Sequence, residues 1–221
     1  MTRRLFSPLP SSLVPAEPAT TLTDLFLAAQ TFSYAARLRK GPAWAHKSGR
    51  LWALAFVAAG IAALAGAVVH ALTEERTPRL RGGLWKIVGL ATSVGSAAML
   101  AAGALAALRK PYRGALLAFA AVKFVIASVA TWRLGDFLYI IVDYAASMVI
   151  LLALQVRQWR RSPAASWLTG GVLVSFLAAG IQQSGLTLHK HFNYNDLYHV
   201  VQMGGFHLLY AGAKRISDRE G

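Results

Sequence analysis

The stretch LWALAFVAAGIAALAGAVVHAL at residues 51–72 carries no Asp, Glu, Lys or Arg and a single histidine, His70. At 1.5 Å per residue, a helix of this length covers about 33 Å, enough to cross the ~30 Å hydrocarbon core of a bilayer. Alanine recurs at every fourth position from Ala55 to Ala71, which gives one helix face a smooth surface for close packing. The stretch therefore predicts a transmembrane helix inside a bundle, with His70 near one end and facing the bundle.

Similar apolar stretches lie elsewhere in the chain. With residues 51–72 included, five are long and apolar enough to span a membrane, and two more polar ones at the ends of the series each have an apolar helical face and a terminal basic group. The predicted fold class is all-α, an integral membrane bundle of seven transmembrane helices over residues 22–213. Residues 1–21, rich in Pro and Ser, are predicted to form a flexible arm, and residues 214–221 a tail. The predicted helices are about 22–38, 51–72, 84–108, 114–132, 136–156, 165–186 and 195–213.

Composition excludes several classes of protein. The 221 residues are 56% hydrophobic and 14% charged, against about 25% charged in soluble domains, which leaves too little polar sequence to cover a soluble enzyme. Because the chain has no cysteine, it has no disulfide, thiolate nucleophile or Fe–S cluster, and any metal must be held by other side chains. The net charge of +14 falls in short groups between apolar runs, so we expect the partner to be a lipid bilayer and not nucleic acid.

The basic residues also predict an orientation. With the N-terminus outside, the inner segments hold 14 Lys and Arg and the outer segments hold 8. Because cytoplasmic loops carry the excess of Lys and Arg, the prediction is an external N-terminus and a cytoplasmic C-terminus, in a bacterial inner membrane. The connections at 109–113 and 133–135 are short, so helices three, four and five are expected to be antiparallel neighbours.

Polar side chains of several predicted helices gather in the outer half of this membrane region, where Asp24 also begins the first helix. Ionisable groups in hydrocarbon are costly and mark functional sites by default. We therefore expect one polar cavity, open to the outside, with helices two and seven adjacent. Its predicted lining residues are His70, Asp143, Gln182, Asn195, Asp196, His199 and Gln202.

Asp143 has two interpretations. Lys123 lies in the middle of the fourth predicted helix, and Asp143 lies at a depth within a few Å of it on the fifth. The two side chains are expected to form a buried structural ion pair. Alternatively, Asp143 is a metal ligand or proton acceptor in the cavity.

A metal site is the alternative use of the histidines. His70, His199 and Asp196 are the candidate ligands, with water in the open position of a catalytic zinc ion. The simpler interpretation is that His199 is hydrogen-bonded to Asp196, three residues earlier, or to a neighbouring helix. No HExxH motif is present to decide between these alternatives.

The run HFNYNDLYHVVQM at 191–203, preceded by IQQSGLTLH at 181–189, resembles a family of uncharacterised bacterial seven-helix membrane proteins over nearly the whole chain. The layout more distantly resembles the superfamily of alkaline ceramidases and progestin and adiponectin receptors. In that superfamily an S-x-x-x-H motif in helix two, an Asp in helix three and H-x-x-x-H in helix seven bind zinc for lipid amide hydrolysis. His70 and His199 match two of these positions, whereas Gly66 and Asn195 replace the Ser and the other His.

Three hypotheses for function follow. The first is a membrane protein that binds a lipid or small polar ligand in the cavity. The second, implied by the ceramidase resemblance, is a zinc-dependent hydrolase of a lipid amide or ester. The third is a proton or solute pathway, in which Lys123 and His207 would continue the polar groups inward.

Overall fold

The computed structural model describes residues 16–72, 77–135, 138–189 and 191–219, and these form seven α-helices. The predicted all-α class is confirmed, and α2 to α6 are long and apolar enough to cross a membrane. A short 3₁₀ helix, Pro42–Ala45, precedes α2. The helices are α1 Pro18–Lys40, α2 Lys47–Ala71, α3 Pro78–Ala107, α4 Tyr112–Leu134, α5 Leu138–Gln158, α6 Ala165–Ser184 and α7 Tyr194–Ala213.

Several helices begin earlier than the apolar pattern predicts, among them α1, α2 and α3. Helix α1 begins at Pro18, inside the predicted arm, whose residues 1–15 lie outside the described part of the chain. Helix α3 begins at Pro78, six residues before the predicted start at 84. Proline favours the first turn of a helix because its fixed φ suits the helix and its missing N–H is not needed there. Arg81 on this extra turn donates to the carbonyls of Val69 and Leu72 at 2.5 and 2.6 Å, which satisfies the last turn of α2.

Six of the described helices form a closed ring. Around the ring, α1 packs on α2, α2 on α3, α3 on α5, α5 on α6, α6 on α7 and α7 on α1. The expected contacts among α3, α4 and α5 are present, but α4 lies outside the ring, and its only buried residues are Ala120, Ala127 and Thr131. The expected adjacency of α2 and α7 is wrong, because α1 packs between them.

The C-terminal segment packs against the bundle. Ile216 is 4% exposed, and Asp218 accepts hydrogen bonds from the backbone N–H groups of Lys47 and Ser48 at 2.8 and 2.9 Å. Asp218 thereby supplies the N-terminal cap of α2, where His46 makes no side-chain cap. Residues 214–219 of the predicted tail are therefore part of the folded domain.

Candidate functional site

The ring encloses a cavity of about 870 Å³. Every helix contributes to its wall, α4 only through Thr131 near its C-terminal end and Gly135 just beyond it. Along α2 the lining runs from His70 to Trp52, which is 18 residues and about 27 Å at 1.5 Å per residue. A cavity of this volume falls in the range of small-molecule sites, and its length approaches the thickness of the hydrocarbon core.

The polar groups of the cavity gather at one end, which we call the His199 end. This end contains the start of α7 and the ends of α2 and α6, and it holds His70, Gln182, Asn195, His199 and Gln202. The opposite end, which we call the Trp52 end, is lined by aromatic and thioether side chains. They are Trp52, Phe56, Met99, Met148 and Phe206.

Amide and hydroxyl groups connect α6 and α7 on the polar side. Gln202 donates through Nε2 to Ser175 Oγ at 3.0 Å, and Ser175 in turn donates to the carbonyl of Gly171 at 2.9 Å. Gln182 Nε2 lies 3.4 Å from Asn195 Oδ1, nearer the start of α7. These bonds fix the side chains that present polar atoms to the cavity.

Helices α1 and α7 run parallel and are joined by a series of side-chain contacts that we call the polar ladder. Thr20 Oγ1 donates to Asp196 Oδ1 at 2.8 Å, and Tyr34 Oη lies 2.9 Å from His207 Nδ1 further along both helices. Each contact joins a polar group of one helix to a polar group of the other. The polar side chains that lower the mean hydropathy of α1 and α7 therefore face each other at the interface between the two helices.

His199 is held at both ring nitrogens by α1. Its Nδ1 lies 2.9 Å from Thr23 Oγ1, and its Nε2 lies 3.2 Å from Asp24 Oδ1. His199 is 7% exposed and Asp24 is 4% exposed, and both line the cavity. His199 therefore contacts a neighbouring helix, as one form of the simpler interpretation expected. Its carboxylate partner is Asp24 of α1 and not Asp196.

The structure places five of the seven predicted lining residues around the cavity and two elsewhere. Asp196 is fully buried in the polar ladder, and its Oδ2 accepts the Asn193 N–H at 2.7 Å in a capping box at the start of α7. Its carboxylate is thus occupied by the helix cap and by Thr20, away from the cavity. Asp143 faces α3 and α4, where its carboxylate contacts Lys123 Nζ.

The proposed ligand set of His70, His199 and Asp196 does not form a metal site in the described part of the chain, where no three His, Asp or Glu side chains group together. His70 Nδ1 lies 3.2 Å from Glu17 Oε2 at the start of α1. Both nitrogens of His199 and both oxygens of Asp196 have protein partners. His70, His199 and Asp196, the candidate ligands from the sequence, thus each contact different protein groups and do not meet at one centre.

Sequence reasoning did not assign Asp24 to the site. An acidic residue six positions into a helix resembles the solvated start of that helix, and hydropathy alone does not show which side it faces. The spacing of Thr20, Asp24, Thr31 and Tyr34 was the available signal, since these residues recur at intervals of three to seven along α1 and are all buried.

Fold and site together define a class: a helical bundle with five helices long and apolar enough to span a membrane, around an interior cavity that is polar at one end. The model of a family of unknown function, DUF6962, matches residues 19–218, and the chain belongs to that family. No curated protein and no solved structure matches the chain. The comparisons thus give no support to the ceramidase and receptor resemblance.

Proposed function

We propose that this protein binds a single-chain amphiphile inside the helical ring. The headgroup lies at the His199 end and the hydrocarbon chain extends toward the Trp52 end. The observation that carries the proposal is the one-ended polarity of a cavity whose lining extends about 27 Å along α2. Pockets that bind apolar ligands combine an apolar wall with a few placed polar groups, and this wall has that composition.

The proposal includes seven membrane-spanning helices. Helix α1 has 23 residues and α7 has 20, so each covers at least about 30 Å. Their polar side chains meet in the polar ladder, so little polar surface on this interface faces lipid. Internal pairing of this kind is what allows polar helices to lie in hydrocarbon.

The proposed orientation places the His199 end in the outer leaflet of a bacterial cell membrane. The division of basic residues, 14 against 8, supports it. An amphiphile in the outer leaflet then has its headgroup at the depth of the polar groups in the cavity.

Fluorescence quenching by ω-bromohexadecanol tests the proposal. Trp52 is fully buried from the exterior and lines the apolar end, whereas Trp132 on α4 is 60% exposed. Two proteins are compared in nanodiscs, each keeping one of these tryptophans and carrying phenylalanine at the other five. We expect saturable quenching of Trp52, because the brominated chain end reaches it only through the cavity, and non-saturable quenching of Trp132 by probe in the bilayer.

Ala59→Phe is the matched blocked variant, since Ala59 lines the cavity between its two ends. Phenylalanine fills the chain path and adds no tryptophan, so only Trp52 reports. Loss of Trp52 quenching in the blocked variant is expected. Equal, non-saturable quenching of Trp52 and Trp132 in the unblocked proteins would overturn the proposal.

A further inference from the structure

Asp24 presents one carboxylate oxygen with no protein donor. Its Oδ1 is engaged by His199 Nε2, but its Oδ2 is buried and has no hydrogen-bond partner among the described residues. The residue lines the cavity and is 96% buried, being 4% exposed. A buried acceptor without a donor costs stability, so such an atom in a cavity wall marks a place for a ligand donor.

The hydrogen bond to His199 fixes the role of this oxygen. If the carboxylate is ionised, both of its oxygens accept. If it is protonated and donates from Oδ1 to His199 Nε2, then Oδ2 is the carbonyl oxygen and also accepts. Thr23 Oγ1 donates to the Thr20 carbonyl, so His199 Nδ1 must donate to Thr23 Oγ1. Nε2 of a neutral His199 therefore accepts, and the proton of a neutral Asp24 lies on Oδ1. In both arrangements Oδ2 accepts, and the ligand must supply an N–H or O–H donor.

Charge favours an ammonium donor over a hydroxyl. In the described part of the chain, Asp24 has no Lys or Arg partner, and its charged-group contact is His199. Lys86 also lines the cavity, but its ammonium lies 4.9 Å from the centre of the Trp132 ring. A buried carboxylate is stabilised by a cation with hydrogen-bond donors, which a ligand ammonium provides.

Gly66 lies directly beside this oxygen. A Cβ atom at position 66 would lie 3.0 Å from Asp24 Oδ2, so any larger residue would cover the oxygen. Gly66 and Asp24 both line the cavity, and the lining of α2 continues from Gly66 to Trp52 over about 21 Å. The buried Oδ2 therefore belongs to the wall of the same space as the apolar chain path.

We propose that Asp24 is the headgroup-recognition residue of the cavity and selects long-chain amines, whose ammonium donates to Asp24 Oδ2 while the alkyl chain fills the apolar end. This inference rests on the proposed function and adds the chemical class of the ligand. Helix α1 thus supplies specificity, and the Trp52 end supplies apolar contact.

The Trp52 quenching assay with three probes tests this selection. The probes are ω-bromohexadecylamine, protonated at neutral pH, ω-bromohexadecanol and ω-bromohexadecanoate. We expect the amine to bind at least about tenfold more tightly than the alcohol, the factor for one hydrogen bond between charged groups, and the carboxylate most weakly. Equal affinity for amine and alcohol would overturn the inference while leaving the proposed function intact. Absence of saturable quenching by all three probes would overturn both.

Point variants test whether Asp24 is the source of the preference for the amine. Asp24→Asn keeps the shape and removes the charge, so we expect the preference for the amine over the alcohol to disappear. Gly66→Ala places a methyl group on Oδ2 and is expected to weaken amine binding likewise, which provides a second route if Asp24→Asn fails to fold. Thr92→Val is the control, because the Thr92 hydroxyl lines the cavity but bonds to Val88 of its own helix. An amine preference that survives in Asp24→Asn or Gly66→Ala would overturn the inference.

Discussion

Lys123 and Asp143 neutralise each other between α4 and α5. The Lys123 side chain is 10% exposed and the Asp143 side chain 2% exposed, and Lys123 Nζ also donates to Ser96 Oγ at 2.9 Å. Ser96 in turn contacts Ser147 Oγ on α5 at 2.9 Å. This cluster joins the outlying α4 to the ring through charge-assisted bonds, where few other buried side chains hold α4.

We expect the ion pair as a whole to contribute little to stability, and the loss of one partner alone to be strongly destabilising. Replacing one partner leaves an uncompensated buried charge and costs about 3 kcal/mol or more, whereas replacing both by apolar residues is close to neutral. We therefore expect Lys123→Met and Asp143→Asn each to lower the free energy of unfolding in detergent by about that amount, and the double variant Lys123→Met with Asp143→Leu by less than about 1 kcal/mol. Additive losses in the double variant would contradict the account.

The contact between Lys123 and Asp143 could be predicted from the sequence because a charge inside an apolar helix needs a partner of opposite charge. Lys123 lies in the middle of an apolar helix, and Asp143 is the acid at a similar depth on the next helix. The prediction from sequence failed for Asp196, because a capping box and a site carboxylate have the same appearance in sequence at the start of a helix. Only the contact with Thr20, 176 positions away, separates these roles.

At the scale of the element, α2 depends on a residue far from it in sequence. Its first turn contains Lys47 and Ser48, whose N–H groups are capped by Asp218. Burial by itself would raise the pKa of Asp218, but hydrogen bonds from Ser48 and Lys47 outweigh this effect and hold the pKa below its ordinary value. The carboxylate is therefore ionised and able to cap α2 over the whole neutral range.

This cap predicts an acid-sensitive contribution to stability. Because the folded pKa is depressed, the contribution is fully present above the unfolded value of about 3.9 and is lost as pH falls through the lower folded value. Asp218→Ala is expected to cost about 1 kcal/mol at neutral pH, the usual cost of removing a helix cap, and less at acidic pH. Thermal unfolding of both proteins from about pH 6 to about pH 3 measures this difference, and a constant difference would contradict it.

The helices themselves were predictable because hydrophobic periodicity and length leave few alternatives for a charge-free stretch of 20 residues or more. The residues at which the helices begin and end were less predictable. Pro78 and Arg79 look polar enough to lie outside a span, yet they begin α3 because Arg81 caps α2. Interactions between elements determine such boundaries, and a local pattern does not contain them.

For the whole molecule, the cysteine-free sequence provides a direct test of the proposed topology. Arg160, after α5, and Ser184, at the end of α6, are both exposed and lie at opposite ends of the bundle. A membrane-impermeant maleimide added to intact cells is expected to label Ser184→Cys and not Arg160→Cys. Permeabilised cells should show labelling at both positions, and the reverse pattern in intact cells would invert the orientation.

The arrangement of the bundle was the least predictable level. The sequence indicates helix order and short connections, but not that α4 would lie outside the ring or that α1 would pack between α2 and α7. Those features depend on which side chains pair across large separations in sequence, 176 and 173 positions in the polar ladder. The cavity follows from that arrangement, so its long shape was not available from helix faces alone.

The contact between α1 and α7 sets an order for biosynthesis. These are the first and last helices in the described part of the chain, and a nascent chain emerges from its N-terminus. Thr20, Thr23 and Asp24 gain their α7 partners only after α7 has been synthesised. Until then these polar side chains of α1 lack those partners. A ribosome-bound chain that lacks α7 therefore contains most of the wall but no enclosed chamber.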